Sequence, residues 1–82
     1  MPDRDEVRKR FIELIKPFSR QDPGQEITDD TFLHADLRVN SARMIDIVLE
    51  SEDAFNILID DASMGRLDTV GAAVTVIMEK LP

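Results

Sequence analysis

The stretch DLRVNSARMIDIVLE, Asp36 to Glu50, changes character at its middle. Before Asn40 no period is visible. After it, Met44, Ile47, Val48, Ser51 and Phe55 recur on one side of a helix turning about 100° per residue. A helix is therefore predicted from Asn40 or Ser41 to Ala54 or Phe55. Asparagine is a good N-cap, because its side-chain oxygen can accept an otherwise unpaired backbone N–H. With Asn40 in that role, Ser41 takes the first helical position with its hydroxyl free. Exposed N–H groups and the helix dipole favour a phosphate there, and Arg38 and Arg43 are near enough in sequence to pair with one. From these residues alone, Ser41 reads first as a helix-start serine of the ordinary kind, because serines are common at that position.

The same helix has a second apolar side. Ile45 and Leu49 project nearly opposite the core face, beside Ala42, with Asp46, Glu50, Glu52 and Asp53 around them. An apolar centre with a charged rim is the pattern of a docking surface. The alternative is that a neighbouring loop folds over the two aliphatics.

Outward from this helix the chain is predicted to be all-α. Asp3-Arg4-Asp5-Glu6 reads as a capping box, and Val7, Phe11, Leu14, Ile15 and Phe18 then carry a first helix from about Arg4 to about Lys16. Pro17 ends it. Ser19 to Gln25, containing Pro23-Gly24, reads as a turn. Some twenty residues follow without a period, anchored by Ile27, Phe32, Leu33 and Leu37; a connection that long is normally functional in a compact domain. A short helical turn is predicted around Asp60 to Met64, closed by Gly65. Asp68 then caps a last helix with Val70, Ala73, Val74, Ile77 and Leu81 in one stripe.

Composition bounds the rest. The 82 residues are 43% apolar, enough for one small folded domain spanning 1–82. Net charge is −7, divided into +2 over residues 1–20 and −9 over the remainder. Such a surface repels nucleic-acid phosphates and attracts basic protein surfaces. The absence of cysteine rules out disulfides and thiolate metal sites. Asp60-Asp61-Ala62-Ser63-Met64-Gly65 superficially resembles a calcium loop, but Ala62 and Met64 stand where oxygen ligands are required, so no metal is expected. His34, the one histidine, has no nucleophile–base arrangement around it and is expected at the surface of a loop. No apolar run is long enough to span a membrane, and a cytoplasmic location is expected.

Asp36-Leu37-Arg38-Val39-Asn40-Ser41-Ala42 resembles the D-L-G-x-D-S-L signature of the acyl carrier proteins. The similarity extends through Ile27-Thr28, Asp46, Val48, Glu52-Asp53, Phe55, Ile59, Asp61 and Leu67-Asp68-Thr69-Val70 to Ile77, nearly the whole chain. It implies a four-helix bundle with three longer helices, a short third one, and a long loop between the first and second. It also implies that Ser41 is the attachment point for 4′-phosphopantetheine, transferred from coenzyme A by a phosphopantetheinyl transferase. Asn40, Arg38 and Arg43 would flank that group. The arm would carry an acyl chain as a thioester, with the protein itself catalysing nothing. The second helix, through Ala42, Ile45, Asp46, Leu49, Glu50 and Asp53, would meet basic surfaces of acyl-loading, ketosynthase or acyltransferase enzymes. The core could shelter the acyl chain, and a monomer is expected.

Arg38, Asn40 and Ala42 replace the family's usual glycine, aspartate and leucine, and Arg43 stands at a commonly acidic position. The lost leucine carbons and acid would weaken handling by a standard transferase roughly 30- to 150-fold. A specialised carrier of a dissociated (type II) fatty-acid, lipid or polyketide pathway is the reading these changes suggest. An unmodified carrier-like interaction module is an alternative. An aminoacyl or peptidyl carrier is another, less favoured because Val39-Asn40 lacks the glycines and histidine those often carry before the serine.

Overall fold

The computed structural model describes residues 2–22 and 24–82; Pro23, within the predicted turn, lies outside the described residues. Four helices form: α1 (Arg4–Ile15), α2 (Ser41–Phe55), α3 (Asp61–Met64) and α4 (Val70–Lys80). No strand is present among the described residues beyond an isolated antiparallel bridge between Phe32 and Thr69. The architecture is the expected one, three longer helices, a short third and a long first loop.

Asp3 caps α1 by accepting the Glu6 backbone N–H at 2.9 Å, while the return bond of the predicted box, from the Glu6 side chain, does not form. The helix closes at Ile15 rather than Lys16. Lys16–Phe18 tightens into a 3₁₀ turn with Pro17 near its start, where a missing N–H costs nothing. The α2 start at Ser41 and end at Phe55 fall within the predicted bounds. Asn56 terminates this helix in the left-handed region, φ +54°, which asparagine tolerates better than most residues.

One cap is corrected. Thr69, not Asp68, opens α4, its side chain accepting the Ala72 N–H at 3.0 Å. Asp68 is held back because its carbonyl accepts the Leu33 N–H at 3.0 Å, extending the pairing of the bridge. Leu81 falls just past the helix end and is half-buried.

The core is built from Val7, Phe11 and Ile15 of α1, Ile47, Val48 and Phe55 of α2, and Val70, Ala73, Val74, Val76 and Ile77 of α4. Helix α1 lies against both α2 and α4. The long loop adds Leu33, Leu37 and Val39, all fully buried, whereas Ile27 is only half-buried and Phe32 remains 50% exposed. Phe32 is turned outward because its neighbours on both sides, Thr31 and Leu33, take the inward positions. Backbone bonds fasten this loop to α4: Val70 N–H to Thr31 O at 2.9 Å and Gly71 N–H to Asp29 O at 2.9 Å. The radius of gyration, 11.7 Å, equals the roughly 12 Å of a fully compact chain of this length, so the loop lies on the bundle.

Helix α3 is held by its N-cap. Asp60 accepts the Ser63 N–H at 2.8 Å, and Lys80 lies 3.5 Å from its other oxygen. Hydrogen bonds from the Ser63 hydroxyl and amide, with Lys80 beside them, lower the Asp60 pKa from 3.8 to about 2. A folded pKa below the unfolded one means the stabilisation is complete above about pH 4 and is lost as pH falls through about 2. Amide exchange of Ser63 and Met64 is expected to accelerate over that window. Asp60→Ala should show the faster exchange already at neutral pH.

Candidate functional site

The start of α2 is as the sequence requires. Asn40 is extended (φ −84°, ψ 176°), and its Oδ1 accepts the Arg43 N–H at 2.8 Å. Ser41 occupies the first helical position, is exposed, and makes no hydroxyl hydrogen bond to any described residue. The N–H groups of Ser41 and Ala42 also lack intrahelical partners at this end. Arg43 lies 3.6 Å from Asp46, one turn on, so the two charges offset each other in part.

Approach to this end is set by the loop. Val39 N–H donates to Leu33 O at 2.9 Å, and the His34 Nδ1–H donates to the Val39 carbonyl. His34 is thus an exposed loop residue holding the strand-like entry to α2, and no nucleophile is placed against it. Arg38 sits in the left-handed region, φ +56°. Any side chain with a Cβ is strained there by about 1 kcal/mol, and glycine is not. Arg38→Gly is therefore expected to raise the melting temperature by about 2–5 °C, part of the relief being offset by glycine's freedom when unfolded. A thermal melt followed by circular dichroism checks this.

Sequence reasoning missed Arg20. Its N–H donates to Leu37 O at 2.8 Å, which brings it beside Arg38, Asn40 and Arg43 around a polar cavity of about 230 Å³, floored by Pro17 and Phe18 of the 3₁₀ turn. The one hint in sequence was the basic excess of residues 1–20. No ion pair to Arg20 or Arg38 occurs among the described residues. Ser41 does not itself line this cavity; its exposed, unbonded hydroxyl and the free helix N–H groups fit a phosphodiester, with the three guanidinium groups gathered on the adjacent Asn40–Arg43 side.

The second apolar side of α2 is open. Ile45 is 53% and Leu49 58% exposed, Ala42 is exposed between them and the site, and the long loop does not cover them. Asp53 borders this side, and Asp46 borders it through its pair with Arg43. Glu50 stands at the edge, lining an open groove with Lys9, Arg10, Glu13, Leu14 and Ala54. Glu52 is engaged elsewhere, accepting the Ile59 N–H at 2.8 Å and so fixing the chain beyond α2. The opposite side of α2 faces a small apolar cavity lined by Phe11, Leu33, Met44, Ser51, Ile59 and Ile77 among others.

Other chemistry finds no seat. Asp60 and Asp61 are spent opening α3, and no three His, Asp or Glu side chains converge among the described residues. No described helix is long and apolar enough to cross a membrane.

No protein-family model matches the chain. Curated relatives do. An acyl carrier protein of Thermotoga maritima is 31% identical over 81 residues, covering 99% of this chain and 99% of its own. The mitochondrial acyl carrier protein of Saccharomyces cerevisiae is 32% identical over 77 residues, covering 90% of this chain and 62% of the relative. A meromycolate extension acyl carrier protein of Mycobacterium leprae is 31% identical over 75 residues, or 92% of this chain and 64% of that one. The match thus takes in the loop, the Ser41 end of α2 and the helix order together. The chain belongs to the acyl carrier protein family.

Proposed function

We propose that residues 1–82 form one carrier domain that bears 4′-phosphopantetheine on Ser41 and moves acyl groups between biosynthetic enzymes. The observation that carries this is the exposed Ser41 hydroxyl at the α2 N-terminus, unbonded because Asn40 takes the cap. Ser41 holds the arm covalently, the free N–H groups at the helix start favour its phosphate, and Arg38 and Arg43, with Arg20, lie on the neighbouring side where they would offset its charge. When bound, the arm supplies a thiol that carries the acyl group as a thioester. The protein contributes position and recognition and is not an enzyme.

Recognition falls to the open side of α2. Ala42, Ile45 and Leu49 give an apolar centre, and Asp46, Glu50 and Asp53 a mostly acidic edge suited to basic surfaces of a phosphopantetheinyl transferase and of loading, ketosynthase or acyltransferase enzymes. Arg20, Arg38 and Arg43 make the serine end basic, which supports a specialised carrier of a type II pathway working with its own enzymes. A monomer in the cytoplasm is the proposed state. Incubation with coenzyme A and several transferases, followed by intact mass, tests the function. One phosphopantetheine is expected on the wild type and none on Ser41→Ala. No adduct with any transferase, or one that persists in Ser41→Ala, would remove the proposal.

A further inference from the structure

Ser51 is the odd residue of the core. It lies on the buried side of α2, is 1% exposed, and its Oγ has no hydrogen-bond partner. A helical serine commonly relieves itself by donating to the carbonyl one turn back; here no such bond to Ile47 is made. The hydroxyl instead borders the core cavity, about 10 Å³, whose other walls are hydrocarbon or thioether groups, Phe11, Leu33, Met44 and Ile77 among them. That volume admits at most one water, and buried waters need two to four polar partners where this cavity offers one. Neither the protein nor solvent therefore satisfies Ser51.

The residues that line the cavity are spread along one side of α2. Met44 and Ser51 are seven residues apart on the same side, about 10 Å along the axis. Met44 is half-buried, unbranched and flexible, so it can swing aside, and it is one turn from Ser41. A linear chain carried on the Ser41 arm and entering past Met44 would part these apolar side chains and reach the Ser51 hydroxyl about two turns beyond Met44. An unsubstituted alkyl chain would leave that hydroxyl as it is. A chain with an oxygen at the matching carbon would complete it.

We propose that this carrier is adapted to acyl chains bearing a hydroxyl or keto oxygen, held in the core by a hydrogen bond to Ser51 Oγ. The inference rests on the carrier reading of Ser41. The arm is loaded with octanoyl and with a series of octanoyl chains hydroxylated or oxidised to ketones at successive carbons, attached as hydrolysis-resistant amides. Melting temperatures are then compared in the wild type and in Ser51→Ala. One member of the series is expected to melt about 4–8 °C above the plain octanoyl form in the wild type, with the gap gone in Ser51→Ala. Equal melting across the series, or a gap that survives Ser51→Ala, overturns the proposal while leaving the carrier reading intact. The unmodified protein gives a separate test: Ser51→Ala is expected to melt higher than wild type, because an unpartnered buried hydroxyl is removed. A lower melting temperature would show that Oγ already has a partner, and would also overturn it. Failure to load Ser41 would remove the carrier reading and this inference with it.

Discussion

Gly71→Ala is expected to lower the melting temperature by about 5–15 °C, although alanine is the better helix former. Gly71 lies in the first turn of α4, where the long loop presses closest. A Cβ there would stand 2.8 Å from Asp29 Cβ, 2.9 Å from Asp29 O and 3.3 Å from Asp29 Cα. Two of those are backbone atoms, so a rotamer change cannot relieve the contact and the loop itself has to retreat. Its retreat would lengthen the Gly71 N–H bond to Asp29 O, now 2.9 Å. It would also disturb Arg4, whose guanidinium donates to Gly71 O at 3.1 Å and to Asp29 Oδ2 at 3.3 Å. Overpacking of this kind costs about 1–3 kcal/mol, and the helix propensity of alanine returns only about 0.5–1. For a domain of this size the difference corresponds to the stated shift. Asp29→Gly placed on top of Gly71→Ala should recover part of it, since the Cβ–Cβ contact is removed and the carbonyl contact is not. A melt unchanged by Gly71→Ala would contradict the close approach of loop and helix.

The second large effect concerns recognition. Leu49→Ala is expected to reduce the kcat/KM of the modifying transferase by up to about 30-fold, with stability changed by no more than about 0.5 kcal/mol. Leucine loses three carbons to alanine, worth about 2 kcal/mol if a partner covers them fully, at about 0.8 per CH₂. The side chain is 58% exposed in the free protein, so the core does not feel its loss. Ala42→Leu adds the same number of carbons nearer Ser41 and is expected to act in the opposite direction. Charge should matter less: Asp53→Asn removes one exposed acid, an effect of about 0.2–1 kcal/mol that salt would screen. A Leu49→Ala protein modified at the wild-type rate would mean that partners approach Ser41 from another side.

The sequence made α2 legible because two independent signals agreed there. Asn40 marks its start by cap chemistry, and the residues from Met44 to Phe55 mark its core side by period. The same period assigned Ile45 and Leu49 to the far side, leaving only whether something covers them, which depends on where the loop goes. The loop was the opaque part. It has no period, so nothing local told Phe32, which stays outside, from Leu33 and Val39, which are buried. The start of α4 was misplaced by one residue because Asp68 and Thr69 are both good caps. Pairing of the loop with Asp68 O decided between them, and that contact spans 35 residues of chain. Arg20 was missed for the same reason, since it reaches Arg38 and Arg43 only through its bond to Leu37. Ser51 was assigned correctly to the core side, but its missing partner could be seen only once its neighbours were in place.

Whether Ser41 carries the arm is read by purifying the protein from its own host and measuring its intact mass, with fragmentation to locate any added group. One phosphopantetheine is expected, with or without an acyl chain on its thiol, mapped to Ser41. A protein recovered wholly at its unmodified mass from cells actively making acyl products, or one modified at a different residue, would contradict it.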